Sequence, residues 1–301
     1  MVASHQLVIA GLRSLAGINA SEHVCNPVSS SIYLGINPEI RRQQILAVKS
    51  QKLHDARLFL EKRTRLMDRA RPFSETRQFQ TREGDTCVTK LDSIFVPGAS
   101  SVRQVFDALT FYNFNLDICT TEIKGAMVVR EEADPGDEIA SHSRLVYMTM
   151  DGVAVETNNI LFAEYTSSSS EHPSAVDGGE VGLLMTDFVD QDEMYPYRPL
   201  ERIREDMVSI FKVQSFPSSF ASRSHTSHNK EPTELLELHS DEDCERVVVL
   251  TRWVQAKLHH SELLLSDEIM ANVRSEMTHI NDAVVTAVRE AFRIPTQIKL
   301  A

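Results

Sequence analysis

The 301 residues are 42% hydrophobic and 25% charged, the balance of an ordinary folded chain, with material for one large domain or one domain with extensions. A net charge of −12 argues against a surface that binds nucleic acid generally, because phosphate recognition needs a basic footprint. The charge is uneven: residues 39–82 hold twelve Lys/Arg against five Asp/Glu, and residues 83–301 hold eighteen against thirty-seven, so a basic arm precedes an acidic body.

Residues 1–38 contain Asn-Pro twice and a serine run without sustained periodicity, and a loosely structured segment is expected. Its start lacks a basic n-region and Arg13 interrupts the apolar run, which argues against a secretory signal. No apolar stretch approaches the ~20 residues that cross a bilayer. The four cysteines, Cys25, Cys87, Cys119 and Cys244, form no C-x-x-C pair, so a reduced protein of the cytoplasm or nucleus is expected. Residues 39–71 read as a helix with Leu46, Leu53, Leu60 and Met67 seven apart. The positions three residues earlier are Gln43, Ser50, Arg57 and Thr64, which supply no second apolar row for a coiled coil. A basic helical arm over residues 39–75 is predicted, suited to an anionic membrane surface or a protein partner.

From residue 84 the pattern turns to strands. Residues 86–98 read as a first strand closed by Pro97 and Gly98. A short helix follows, capped by Ser101 with Gln104 three residues on. Six strand candidates come next, at 115–131, 143–150, 153–166, 181–190, 207–216 and 246–258. Asp151-Gly152 joins the second and third in a tight hairpin, whereas the other joins are long and polar. Residues 266–292 are the clearest helix. Ser266 caps it, Asp267 and Glu268 suit its positive end, Pro295 stops it, and an apolar stripe runs from Ile269 through Val273, Met277, Ile280, Val284 and Val288 to Ala291. At 1.5 Å per residue it would be roughly 40 Å long.

This order resembles the helix-grip fold of the START and pollen-allergen-like superfamily: an α+β fold with a curved antiparallel sheet of about seven strands wrapped around a long C-terminal helix. The phrases LDSIFVPGASSVRQVFDAL, RLVYMTMDGVAVETNNILFAEY, DFVDQDEMYPYRPLERIREDM and VVVLTRWVQAKLH are similar to START-like proteins of oomycetes often labelled a mating-specific family. The division expected is residues 1–38 loose, 39–75 a basic arm and 84–295 the START-like domain. The resemblance implies a cavity for a lipid, sterol or other hydrophobic small molecule.

The strand 246–258 raises the sharpest chemical question. Every second residue from Val248 gives Leu250, Arg252, Val254 and Ala256, so Arg252 shares an otherwise apolar face and needs a partner there. In the strand 153–166, Glu156, Asn158, Ile160 and Phe162 share one face that reads as a cavity wall, making Glu156 the first candidate partner. The alternative places Thr157 and Asn159 inside and gives Arg252 another acid. Met148, Met277, Ile280 and Val284 complete the candidate cavity, and Tyr195 and Tyr197 of the YPY stretch are candidates for its mouth, the alternative being that they cover the edge of the core. No glycine-rich phosphate loop, G-x-S-x-G or H-E-x-x-H occurs, and His225 and His228 read as solvated loop residues. Neither metal nor cofactor is expected. Non-catalytic sequestration or transfer of the apolar ligand is the function expected; an enzyme using Glu156 as a cavity acid, or a regulatory protein-interaction module with a vestigial cavity, stays open.

Overall fold

The computed structural model describes residues 30–68, 71–124, 127–137, 140–167, 179–217, 246–277 and 279–293. In chain order the elements are β1 (Tyr33–Leu34), α1 (Pro38–Thr64), β2 (Phe73–Gln80), β3 (Thr86–Phe95), α2 (Val102–Phe114), α3 (Leu116–Lys124), β4 (Met127–Asp137), β5 (Ala140–Met148) and β6 (Ala154–Thr166). There follow β7 (Val181–Phe188), β8 (Gln191–Asp192), β9 (Ile203–Pro217), β10 (Arg246–Leu258), α4 (Asp267–Glu276) and α5 (His279–Ala291). The architecture is α+β. Eight strands form one sheet in the order β2-β3-β10-β9-β7-β6-β5-β4, and β1 pairs with β8 apart from it. Each neighbouring pair in the large sheet is antiparallel. Gly152, at φ +74°, turns the β5–β6 hairpin where Asp151-Gly152 predicted it.

Both faces of the sheet are apolar, and each has its own cover. On one face α5 lays Val284 and Val288 on Leu161, Leu184, Phe211 and Leu250, with α2 adding Val105, Phe106 and Leu109. Toward the other end of that face, Val273, Met277 and Ile280 pack with Val155, Met207 and Val254. On the opposite face α1 buries Ile45, Leu53, Ala56 and Leu60 against Leu91, Ile160, Phe162, Met185, Ile210 and Trp253.

Five expectations change. The basic helix is a layer of the fold rather than an arm: its apolar contact runs through residues 45, 53, 56 and 60, while Leu46 of the seven-residue row is 43% exposed. The boundary placed between residues 75 and 84 falls inside the hairpin of β2 and β3. Strand β2, FSETRQFQ, alternates only between exposed and half-buried, the polar pattern of a sheet edge, and it brings the sheet to eight strands instead of about seven. The strand expected from residue 115 begins only at Met127, because residues 116–124 form α3. There Cys119 packs on Ala283 and Ala287, so tertiary contact overrides the strand propensity of its Ile and Thr residues. The single C-terminal helix is broken at Met277, whose backbone is extended (φ −54°, ψ 144°); Val273 of α4 and Ile280 of α5 pack in one cluster on either side of the break. The stripe fades at its ends, where Ile269 is half-buried and Ala291 exposed. Of the segment expected to be loose, residues 1–29 lie outside the described residues.

The basic charge of α1 is used inside the molecule. Lys52 meets Asp187 at 2.5 Å with both side chains fully buried, Arg41 meets Asp192 at 2.6 Å, and Arg57 meets Glu164 at 2.5 Å. Contact with an anionic membrane or a partner through residues 39–75 is left to exposed residues such as Arg42, Lys62 and Arg65. No helix among the described residues is long and apolar enough to cross a membrane.

Trp253 is the single tryptophan, and its ring lies 4.7 Å from that of Phe59 on α1. Deleting residues 1–75 is therefore predicted to unfold the body, read as a red shift of Trp253 emission with loss of a cooperative urea transition. Lys52→Met alone strands Asp187 and should cost about 3–5 kcal/mol, whereas Lys52→Met with Asp187→Leu should recover most of it. A truncated chain that folds with wild-type stability contradicts this account of α1.

Candidate functional site

Arg252 projects onto the α5 face with Val248, Leu250, Val254 and Ala256, all buried. Its partner is not Glu156. Arg252 donates from Nε to Asp92 Oδ2 at 2.9 Å and from Nη2 to the same carboxylate. It also donates from Nη1 to the Asn281 carbonyl at 2.9 Å and from Nη2 to Asp282 Oδ1 at 2.9 Å. Arg252 and Asp92 stand directly opposite on the paired strands β10 and β3, so this is a cross-strand pair that also holds the first turn of α5. Burial alone would raise the Asp282 carboxyl, but the Lys90 hydrogen bond and the Arg252 charge outweigh it and hold that group below the usual carboxylate range.

Glu156 lies on the α1 face, with Asn158, Ile160 and Phe162 on the same side. It accepts from Arg144 at 3.2 and 2.6 Å and from Arg202 at 3.3 Å. Strands β6 and β10 are separated by β7 and β9, and the side-chain period of two sends Glu156 and Arg252 to opposite faces. The alternative reading, with Thr157 and Asn159 inside, is the arrangement found.

Between the sheet and the helices, among the described residues, lies a cavity of about 10 Å³ bordered by Thr157, Asn159, Thr186, Ser209, Asn281 and Ile280, about the room one water needs. Thr157 Oγ1 and Asn159 Oδ1 are buried there without a hydrogen-bond partner. Leu250, Val254, Met277 and Val284, expected as cavity wall, are packed into the apolar clusters instead, and Met148 at the end of β5 is 36% exposed. On the same face Tyr147 donates to Glu205 Oε2 at 2.8 Å. Burial, then the Glu205 charge, pushes this phenol well above its ordinary range.

The larger opening, about 350 Å³, lies on the α1 face and is bordered by Glu156, Asn158, Asp192, Tyr195, Tyr197 and Arg204. Of the residues expected to line the cavity or its mouth, Glu156, Asn158, Tyr195 and Tyr197 border this opening, on the side away from Arg252. Asp192 accepts from Arg41 at 2.6 and 3.0 Å, from Asn158 at 3.0 Å, and from the Met194 and Tyr195 N–H groups. Burial alone would raise its carboxyl, yet the Arg41 and Asn158 hydrogen bonds hold it below the usual range. Arg204 donates to Asp206 at 2.6 Å and to the carbonyls of Asp190 and Val189. Asp206 is likewise held low, His259 and Arg204 overcoming its burial.

Asp92, Arg144 and Arg202 escaped the sequence reading. The signal for Asp92 was its place in LDSIF, where Asp92 shares the parity of Ile94 and so faces α5, but nothing local made β3 the neighbour of β10. Among the described residues no group of three or more His, Cys, Asp or Glu is arranged to hold a metal ion; His225 and His228 lie outside the described residues.

No family model matches the chain, and no curated protein matches it. Among solved structures it is similar to the one titled "Crystal structure of Ara h 8.0201", with 12% identity over 68% of this chain and 97% of that chain, at a TM-score of 0.27. At that score the likeness decides nothing about the site, and the α+β architecture stands on the strands and helices described above.

Two measurements test the ion pairs. Arg252→Met should destabilise by about 3–5 kcal/mol by stranding Asp92; adding Asp92→Leu should restore most of the loss, whereas adding Glu156→Gln should not. Rescue by Glu156→Gln would contradict the pairing. Asp192, Asp206 and Asp282 have depressed folded values, so each contributes stability that is present above about pH 4, the unfolded carboxylate range, and is lost as pH falls through the folded value. The urea midpoint should accordingly drop between pH 5 and pH 3, and an unchanged midpoint would contradict the assigned shifts.

Proposed function

We propose that this chain is a non-catalytic binding module that sequesters or carries a small, mainly apolar molecule bearing a hydroxyl group, held between the sheet and the α4–α5 pair. The observation that carries this reading is the pair of partnerless buried atoms, Thr157 Oγ1 and Asn159 Oδ1, facing one cavity. A buried polar atom costs about 1–3 kcal/mol unless a water or a ligand hydroxyl supplies its partner, and two beside each other on β6 mark a polar spot in a core where an apolar residue would pack. One ligand hydroxyl satisfies both, donating to Asn159 Oδ1 and accepting from Thr157.

Around these atoms stand Leu145, Met207 and Ile280, whose contact with an apolar body would contribute about 25 cal/mol per Å² removed from water. The 10 Å³ cavity is the closed form, and the break at Met277 is where the helical cover can part. A sterol or a long-chain alcohol has the required chemistry. An enzyme acting through Glu156 finds no support here, since that carboxylate is held by Arg144 and Arg202 on the other face.

Native mass spectrometry of protein purified from its own host should show a retained apolar adduct. Thr157→Val with Asn159→Leu should abolish the adduct while raising stability by about 1 kcal/mol or more, because it removes both orphaned groups. Wild-type protein that carries no adduct and gains no thermal stability from cholesterol or octadecanol would refute the reading.

A further inference from the structure

We propose that the cavity on the α1 face is a second, separate binding site, for a neutral polyhydroxylated molecule of about monosaccharide to disaccharide size. Its volume, about 350 Å³, is at the lower end of small-ligand pockets. The wall combines planar polar side chains, Glu156, Asn158, Asp192 and Arg204, with the rings of Tyr195 and Tyr197. Hydroxyl groups match the first set, and the C–H faces of a saccharide ring match the second.

Charge disfavours an anion. Three of the charged groups in this wall have a counter-charge: Glu156 has Arg144 and Arg202, Asp192 has Arg41, and Arg204 has Asp206; the fourth, Asp190, accepts from the Ile32 N–H at 2.7 Å. An anion entering the cavity would have to take a partner from one of these pairs, and a buried charge left alone is costly. A neutral hydroxyl takes nothing away. It donates to the remaining lone pair of Glu156, which accepts three hydrogen bonds of the about four a carboxylate can take, and the existing pairs stay intact.

The wall is also built in advance. Asp192 fixes the turn at Met194 and Tyr195, the Tyr197 hydroxyl donates to the Arg202 carbonyl at 2.7 Å, and Arg204 ties down the carbonyls of Val189 and Asp190. The guanidinium carbons of Arg41 and Arg144 lie 5.6 and 5.7 Å from the Tyr195 ring centre. Little ordering is left to be done on binding. Because α1 supplies Arg41, the site exists only while α1 is docked.

The test is saturation-transfer NMR on the full chain with glucose, galactose, mannose and N-acetylglucosamine at millimolar concentration. Their methyl glycosides separate recognition of a free sugar from that of a glycan terminus, and glucose 6-phosphate and glucosamine serve as charged controls. At least one neutral sugar should bind, and more tightly than its charged counterpart. Tyr197→Ala should weaken it about tenfold or more, and Gln191→Ala, at the exposed rim of the same cavity, by about threefold, on the scale of one lost hydrogen bond. The Gln191 change lies outside the core, so it keeps the test decisive if Tyr197→Ala misfolds. Thr157→Val with Asn159→Leu should leave sugar binding unchanged. Absence of binding by every neutral sugar, preference for a charged control, or binding unaffected by Gln191→Ala would each overturn the proposal.

Discussion

A lysine and an aspartate with no solvent exposure, Lys52 and Asp187, join α1 to the middle of the sheet. Removing two such charges from water costs several kcal/mol each, recovered only when geometry and further hydrogen bonds are good. Both conditions hold here, since Lys52 also donates to the Ser30 carbonyl and Asp187 accepts from the Phe188 N–H. A pair of this kind contributes less to stability than to position: with Lys52 anchored, Ile45, Leu53, Ala56 and Leu60 are brought into register with the apolar rows of that face, and Arg41 is carried to Asp192. Arg252 does the corresponding work on the other face, tying β3, β10 and the first turn of α5 at one point. The sheet is thus covered twice, each cover fixed by a buried ion pair near its middle.

That arrangement explains the lopsided charge of the chain. A basic segment followed by an acidic one suggests a free arm seeking an external anion, yet the acids that meet the basic helix are Asp187, Asp192 and Glu164 of the same molecule. The complementarity is intramolecular and suits a helix whose apolar face alone is narrow. Four buried apolar residues on 27 are few for a covering helix, and the ion pairs supply the specificity that the stripe lacks.

The parts of the fold legible in the sequence were those set by local rules. Asp151-Gly152 marked a hairpin because glycine takes positive φ freely, and Ser101 marked α2 because its hydroxyl caps the Gln104 N–H, as the structure has it. The alternation around Arg252 gave its face correctly for the same reason, period two being a property of one strand. What stayed hidden depends on neighbours far off in sequence. Alternation divides β6 into two faces without saying which meets α5, so Glu156 and Thr157 exchanged roles. The partner of Arg252 follows from β3 lying beside β10, 160 residues apart at the Asp92 contact. Strand β2 was concealed by the polarity expected of an edge, and α3 by β-branched residues that only its packing on α5 overrides.

The two cavities differ in what a ligand must do to enter. The opening on the α1 face has its walls tied by ion pairs and backbone contacts, and entry asks for no movement of an element. Between sheet and helices, a ligand must displace a cover. The two halves of that cover are unequally held. Arg252 and Lys90 bind the start of α5 through Asn281 and Asp282, and α5 also packs on α2 and α3. For α4 the polar ties are the exposed contacts of Asn272 with Asp151 and of Glu276 with the Met150 N–H, besides the burial of Val273 and Met277. Exposed hydrogen bonds of this kind are exchanged for water at little net cost, so α4 is the less firmly held of the two. Ile280, just beyond the Met277 break, borders the cavity together with Thr157 and Asn159.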